Sequence, residues 1–405
     1  MTGFATYPAL LPRLTVEWSL SNAEAGLIGG ILFFAYALGV PFLTGLTDRI
    51  DSRRVYVVSC LVAGAGSAIF GWFADGLWIA LLGQAVFGIG FAGIFMPGLK
   101  ALSDRIDRAR QSRAVALYTA LSSTGLGASF ALSGWIADQV GWRMSFYAAA
   151  AGPLIAAAIA AFALEPRAPQ PDPRAASLMR RFGLVLRNRP AVGYIIGYTA
   201  HCWELYALRA WMVAFFAFVA GRLPADTGTG LALMPTEIAG AIALVGMVTS
   251  IYCNELALRF HRTRVVLVVM MLSSPLAFLL GLVGAQALWF AIALGAVYYG
   301  VVMADSALLT AGTVAAAVPE QRGATMALHS TLGFSAGLLA PVMFGIVLDL
   351  LARSSPWAWS FGFLALALPS LPAAWLLRRL AGKPATAAQI RSARDPCGSS
   401  SAPSD

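Results

Sequence analysis

Charge is scarce in this chain. Only 12% of its 405 residues are Asp, Glu, Lys or Arg, against about 25% in ordinary soluble domains. With 59% hydrophobic residues and a mean hydropathy of +0.74, the apolar surface is too large for one water-facing core. Lysine is nearly missing: Lys100 and Lys383 stand alone, so arginine carries the basic charge. That bias, with the Ala and Gly load, suggests a GC-rich bacterial genome. Cysteine is sparse and scattered. Cys60, Cys202 and Cys253 fall in apolar runs and Cys397 in the tail, with no CxxC spacing, which excludes a disulfide framework and a zinc-type site. HExxH and P-loop motifs are absent. No catalytic residue, metal or cofactor is therefore expected, and neither an enzyme nor a nucleotide-driven pump.

What remains is a series of apolar runs with charged breaks, each near the 20 residues a membrane helix needs. They lie at about 25–47, 55–74, 77–99, 114–137, 146–164, 191–220, 235–257, 265–283, 287–310, 324–348 and 359–377, eleven full spans. Ser21 and Glu24 form an S-x-x-E capping box ahead of the first. Residues 1–12 are apolar but too short to cross and lack a basic start, so no signal peptide is read there. They are expected to be the outer half of a first span whose inner half this chain lacks.

The net charge of +9 does not signal nucleic acid, because the arginines sit in short loops rather than on one face. They sort by side. One set of loops holds Arg49, Arg53, Arg54, Arg105, Arg108, Arg110, Arg113, the linker arginines, Arg259, Arg262, Arg264 and Arg322. The other holds Arg13, Arg143, Arg222 and Arg353. Cytoplasmic loops collect basic residues, so the first set is placed in the cytoplasm. A multi-pass protein of the bacterial inner membrane is expected, with lipid and a small solute as its partners, as a monomer.

The chain also repeats. TGLTDRIDSRRVYVV from Thr44 and NELALRFHRTRVVLVV from Asn254 are 210 residues apart. RAVALYTALSSTGLG from Arg113 and RGATMALHSTLGFSAG from Arg322 are 209 apart. Two matches at spacings that differ by one residue, on either side of a basic linker, predict two similar halves. The first copy carries five charges in seven residues, Asp48 to Arg54. It resembles the G-x-L-A-D-R-x-G-R-R signature of the major facilitator superfamily (MFS). Leu46, Asp48 and Arg49 fit, Arg53 and Arg54 supply the arginine pair one residue late, and Thr44 and Asp51 replace the two glycines. The second copy keeps Arg259, Arg262 and Arg264 but has Leu258 at the acid.

This resemblance extends to span count, linker and loop positions. It implies an all-α membrane protein with two pseudo-symmetric six-helix bundles around a cavity that opens to alternate sides. The bundles are 1–164 and 191–383, joined by a cytoplasmic linker 165–190 and followed by a disordered tail 384–405. It further implies a gate. Asp48 would face the positive N-terminal end of the helix starting near Ala324, and Arg49 or Arg54 would pair with Asp104.

Ionisable groups inside a span are expensive and become functional candidates. HCWELYALRAW, residues 201–211, holds His201, Glu204 and Arg209 among Trp203, Tyr206 and Trp211. His201 and Glu204, three apart, share a helix face and are candidates for carrying a proton. Arg209 is expected to hold an anionic group, and the aromatics to stack on an apolar or planar part of the solute. Glu204 and Arg209 are five apart, a poor spacing for a bridge within one helix. The superfamily's seventh span lines the cavity, which is where this stretch falls. Asp305, after YYGVVMA, and Lys100 lie in the tenth and fourth spans, and a bridge between them would form an inner gate. His329 is a weaker candidate, and Pro341 is expected to kink its helix.

GIGFAG, residues 88–93, matches a dinucleotide fingerprint in letters only, since no strand precedes it; its small residues suit close helix packing. Gln84 stands where family members often have Arg. Gly125, Gly127 and Gly134 lack the proline of the antiporter pattern. The leading expectation is a proton-coupled secondary transporter of a small solute, such as an organic anion. Its rivals are a drug-type exporter of amphipathic compounds and a non-transporting membrane sensor or scaffold.

Overall fold

The computed structural model describes residues 1–169, 178–222, 234–318 and 321–381. The tail from 384 and the middle of the linker lie outside them. The described chain is helical, with α1 at Thr6–Glu17, α2 at Asn22–Leu46, α3 at Ser52–Phe73, α4 at Leu77–Ser103, α5 at Arg108–Val140 and α6 at Trp142–Ala163. A short α7, Leu178–Val185, precedes α8 at Arg189–Arg222, α9 at Pro235–Arg259 and α10 at Arg262–Leu282. Then come α11 at Leu288–Ala304, α12 at Ser306–Ala316, α13 at Arg322–Leu351, α14 at Pro356–Ala367 and α15 at Ser370–Leu380. Ten segments among the described residues are long and apolar enough to cross a membrane. The 33-residue α5 occupies the position of the expected span at about 114–137, which is not among these ten. At 12 residues, α1 is shorter than a crossing.

Local chemistry sets the helix starts. At α2, Ser21 accepts a hydrogen bond from the Glu24 amide and Glu24 accepts one from the Ser21 amide, the reciprocal capping box read from sequence. At α3, Asp51 accepts from the Arg53 amide. Two apolar runs that read as continuous are broken. Asp305 separates α11 from α12, and Leu368–Pro369 separates α14 from α15. Pro369 cannot continue the hydrogen-bond ladder of the helix before it. Pro341 sits inside an unbroken α13.

In the first half α3 packs on α4 and α6, and α2 on α4; in the second α8 packs on α12, α13 and α15. The halves meet along α2–α13 and α5–α9. The α2–α13 seam differs at its two ends. Away from the arginine-rich loops the main chains touch: methyl groups at Gly26, Gly30 or Gly345 would run into the backbone at Pro341, Leu338 or Asn22. Toward those loops the seam opens into a cavity of about 530 Å³, lined by Thr44, Asp48, Met96, Lys100, Gly323 and Ser330 among others.

The charges of 44–54 brace the first half. Arg105 lies 2.9 Å from Asp51 and also donates to the carbonyls of Ala101 and Glu165. The Arg167 amide donates to Asp51 at 2.9 Å. Arg53 donates to the carbonyls of Ala160 and Ala161, at the end of α6. Burial pushes the Asp51 carboxyl up, but hydrogen bonds from Arg167, Arg105 and Arg53 outweigh it and hold it below the usual carboxylate range. A depressed pKa adds stability above the unfolded-state value and loses it as pH falls through the folded one. Asp51→Asn is therefore expected to cost about 2 kcal/mol at pH 7. Its melting gap from wild type in detergent should narrow as pH falls below about 4 and close once pH has passed the lower folded-state value. A gap constant with pH would rule this out.

Candidate functional site

The middle of α8 is the most buried helical stretch that carries ionisable groups. His201 and Glu204 are each 3% exposed, and Arg209 is half-buried. The three point to different neighbours. Glu204 turns into the second half, where Tyr298 of α11 donates to Oε1 at 2.7 Å and Ser370 of α15 donates to Oε2 at 3.0 Å. Both partners are neutral hydroxyls. His201 Nδ1 lies 2.7 Å from Asp305 Oδ1, at the break between α11 and α12. The contact is close but off the hydrogen-bonding direction, which leaves both atoms without a directed partner.

Arg209 turns the other way, toward the junction of the halves. Its Nε donates to the Tyr299 hydroxyl at 2.9 Å and its Nη2 lies 3.7 Å from Met303 Sδ. Among the described residues no carboxylate lies within 4.0 Å of it. It borders a narrow cavity of about 10 Å³, with Phe4, Tyr7, Phe33, Gln84 and Tyr206 in the wall. Tyr206, three residues from Arg209 and on the same face, stacks on Phe33 of α2 at 4.0 Å. Tyr36 of α2 meets Phe334 of α13 at 4.2 Å. The guanidinium thus faces an aromatic seam between the halves.

The other expected aromatics sit elsewhere. Trp211, five residues from Tyr206 and round the helix, is fully buried. It donates Nε1 to the Pro341 carbonyl at 3.0 Å and packs on Phe344. Trp203 donates to the Ala365 carbonyl at 3.4 Å. His329 stacks on Tyr198 and contacts Thr313 at 3.0 Å, a polar residue satisfied by its neighbours.

The expected gate residues are spread along the basic end. Asp48 borders the 530 Å³ cavity, as does Gly323 next to Ala324. Among the described residues the Asp48 side chain makes no ion pair, and neither do Arg49 and Arg54. Asp104 is paired instead with Lys100, at 3.7 Å on the same helix, an exposed contact of small energetic weight. Lys100 and Asp305 are not brought together, because Asp305 is taken by His201. Residues missed in the sequence are Asp51 and Arg105, the tyrosines Tyr298 and Tyr299, and the aromatic facings Phe33 and Phe334. The paired tyrosines of YYGVVMA carried the only local signal.

A sequence model described as the Major Facilitator Superfamily matches residues 1–341. A probable 4-methylmuconolactone transporter of Cupriavidus pinatubonensis is 27% identical over 144 residues, 34% of this chain and 33% of that one. A gentisate transporter of Corynebacterium glutamicum is 27% identical over 146 residues, 35% of this chain and 32% of that one. The chain thus spans about a third of the length of these curated relatives. A crystal structure of a bacterial homolog of the human lysosomal transporter Spinster, inward-facing and unoccupied, superposes with TM-score 0.73 at 16% identity. It covers 94% of each chain, a likeness of fold alone.

Proposed function

The chain belongs to the major facilitator superfamily, and from that premise we propose that it carries a small organic anion, by alternating access, across a bacterial inner membrane. The observation that carries this reading is Arg209. A half-buried guanidinium between two bundles, with tyrosine and thioether neighbours and no carboxylate among the described residues, is an incomplete pair in a low-dielectric setting. An anionic solute completes it, and a planar carboxylate matches the fork bidentately. Tyr206, Phe33 and Phe334 offer flat apolar surface for the remainder of such a solute. The two relatives named for a muconolactone and for gentisate, both cyclic acids by their chemistry, support this class.

In this reading Glu204 and His201 carry the coupled proton. Glu204 suits that role because its partners are neutral, so that neutralising it strands no cation. His201 shares the task through Asp305. Asp48, Arg49, Arg54 and Asp104, with Lys100 and Asp305, belong to the closing of the basic end, a step in which the 530 Å³ cavity collapses. Trp203 and Trp211 support the α8 backbone from behind the site. A largely apolar cavity wall also fits a drug-type exporter of amphipathic compounds, but Arg209 disfavours the cationic ones among them.

Purified protein in proteoliposomes, with an inward proton gradient, should accumulate cyclic or aromatic monocarboxylates and ignore their carboxamides. A protonophore should collapse the accumulation. Equal uptake of acid and amide would remove the anion reading. Acid uptake indifferent to the gradient would remove the proton.

A further inference from the structure

The sealed end of the α2–α13 seam holds a second carboxylate contact outside the region marked by the charged signature. Asp349, near the C-terminal end of α13, accepts from the Asn22 amide at 3.0 Å and from Asn22 Nδ2 at 2.6 Å through Oδ1. Its Oδ2 accepts from the Ala23 amide at 2.9 Å. Asn22 and Ala23 are the first residues of α2. Their amides have no partner within the helix, and they sit at the positive end of its dipole. The contact joins the two halves, and Asp349 is exposed to solvent. It therefore makes and breaks without burying or stranding a charge.

The two helices run antiparallel, each with an aspartate near its C-terminal end. At the basic end Asp48 follows α2 by two residues and shares a cavity with Gly323, the second residue of α13. At the sealed end Asp349 sits on the start of α2. In this structure the Asp349 contact is made and the Asp48 end is apart.

We propose that Asp349 is the latch of the non-cytoplasmic gate, holding the halves together there while the basic end is open. The α2 N-terminus is released when the halves rock the other way. One carboxylate contact at each end of the same helix pair then gives each closed end a fastening the open end lacks. This requires two alternating states and no particular solute, so it stands or falls apart from the anion reading.

The test is spectroscopic. Spin labels at Asp75 and Gln286, on exposed loops of the two halves at the sealed end, report that gate. A second pair at Asp107 and His261 reports the basic end. Both sets are built on wild type, Asp349→Asn and Asp349→Ala, in nanodiscs without substrate. Both substitutions should lengthen the Asp75–Gln286 distances and shorten the Asp107–His261 distances. The population ratio should move about tenfold, the scale of losing charge-assisted bonds at a helix end. Unchanged distributions in both variants would overturn the latch. A shift in the alanine variant alone would overturn it too, since packing rather than charge would then hold the seam. Because Asp349 is exposed, all three proteins should melt alike in detergent, and the asparagine variant keeps the side-chain shape as a control for folding.

Discussion

Arg209→Ala is expected to lower kcat/KM for the transported acid roughly 100-fold, the scale of removing charge-assisted hydrogen bonds to an anion. The substitution deletes the cation facing the aromatic seam and should leave the fold intact, because among the described residues Arg209 contacts only Tyr299 and Met303 by hydrogen bonds. Arg209→Lys keeps the charge and loses the planar fork, so the loss should shrink to about tenfold. Tyr299→Phe frees the guanidinium from the hydroxyl that orients it and should act chiefly on KM. Initial rates in proteoliposomes across a concentration series separate these cases. An Arg209→Ala protein with wild-type kinetics would place the anion site elsewhere.

Glu204→Gln is expected to separate exchange from accumulation. Glutamine retains an oxygen for the Tyr298 hydroxyl and roughly keeps the volume, so the bundle should still form. What it cannot do is give up a proton. Counterflow of labelled against unlabelled solute needs no net proton movement and should persist near the wild-type rate. Uptake driven by the pH gradient should fall from several-fold accumulation to the equilibrium level. If gradient-driven accumulation survives, the coupling proton travels on a group other than Glu204, and the His201–Asp305 pair becomes its carrier. Loss of both activities would instead mark Glu204 as a brace among α8, α11 and α15.

The architecture was legible because hydropathy is additive along the chain. A helix surrounded by lipid declares itself through its own twenty residues, and the loop arginines sort by side without reference to any neighbour. The capping box at Ser21 and Glu24 was equally local. Breaks within spans were not legible. One residue at Asp305 interrupts an apolar run without changing its average, and only the His201 contact gives the break a role. Along 201–211 the chargeable residues could be found from cost alone. Their partners could not, since a helix fixes which of its own residues share a face and leaves open which helix stands opposite. His201 and Glu204 share a face by spacing yet meet Asp305 and Tyr298, about a hundred residues away in sequence. In the loop, Asp51 read as a missing glycine. Its burial against Arg105 and Arg167 depends on where α4 and the linker pass, and no short window contains that.

The bare main-chain contact between α2 and α13 has a mechanical consequence. Interdigitated side chains must change rotamers to separate, and each change raises a barrier. Where Gly26, Gly30 and Gly345 let two backbones touch, there are no knobs to withdraw. That stretch of the joint can part as smooth surfaces do, whereas farther along the same helix pair Tyr36 and Phe334 must slide past each other. The same smoothness leaves it little grip, so its hold in the shut position comes from whatever fastens its rim, and its speed from having so little in between.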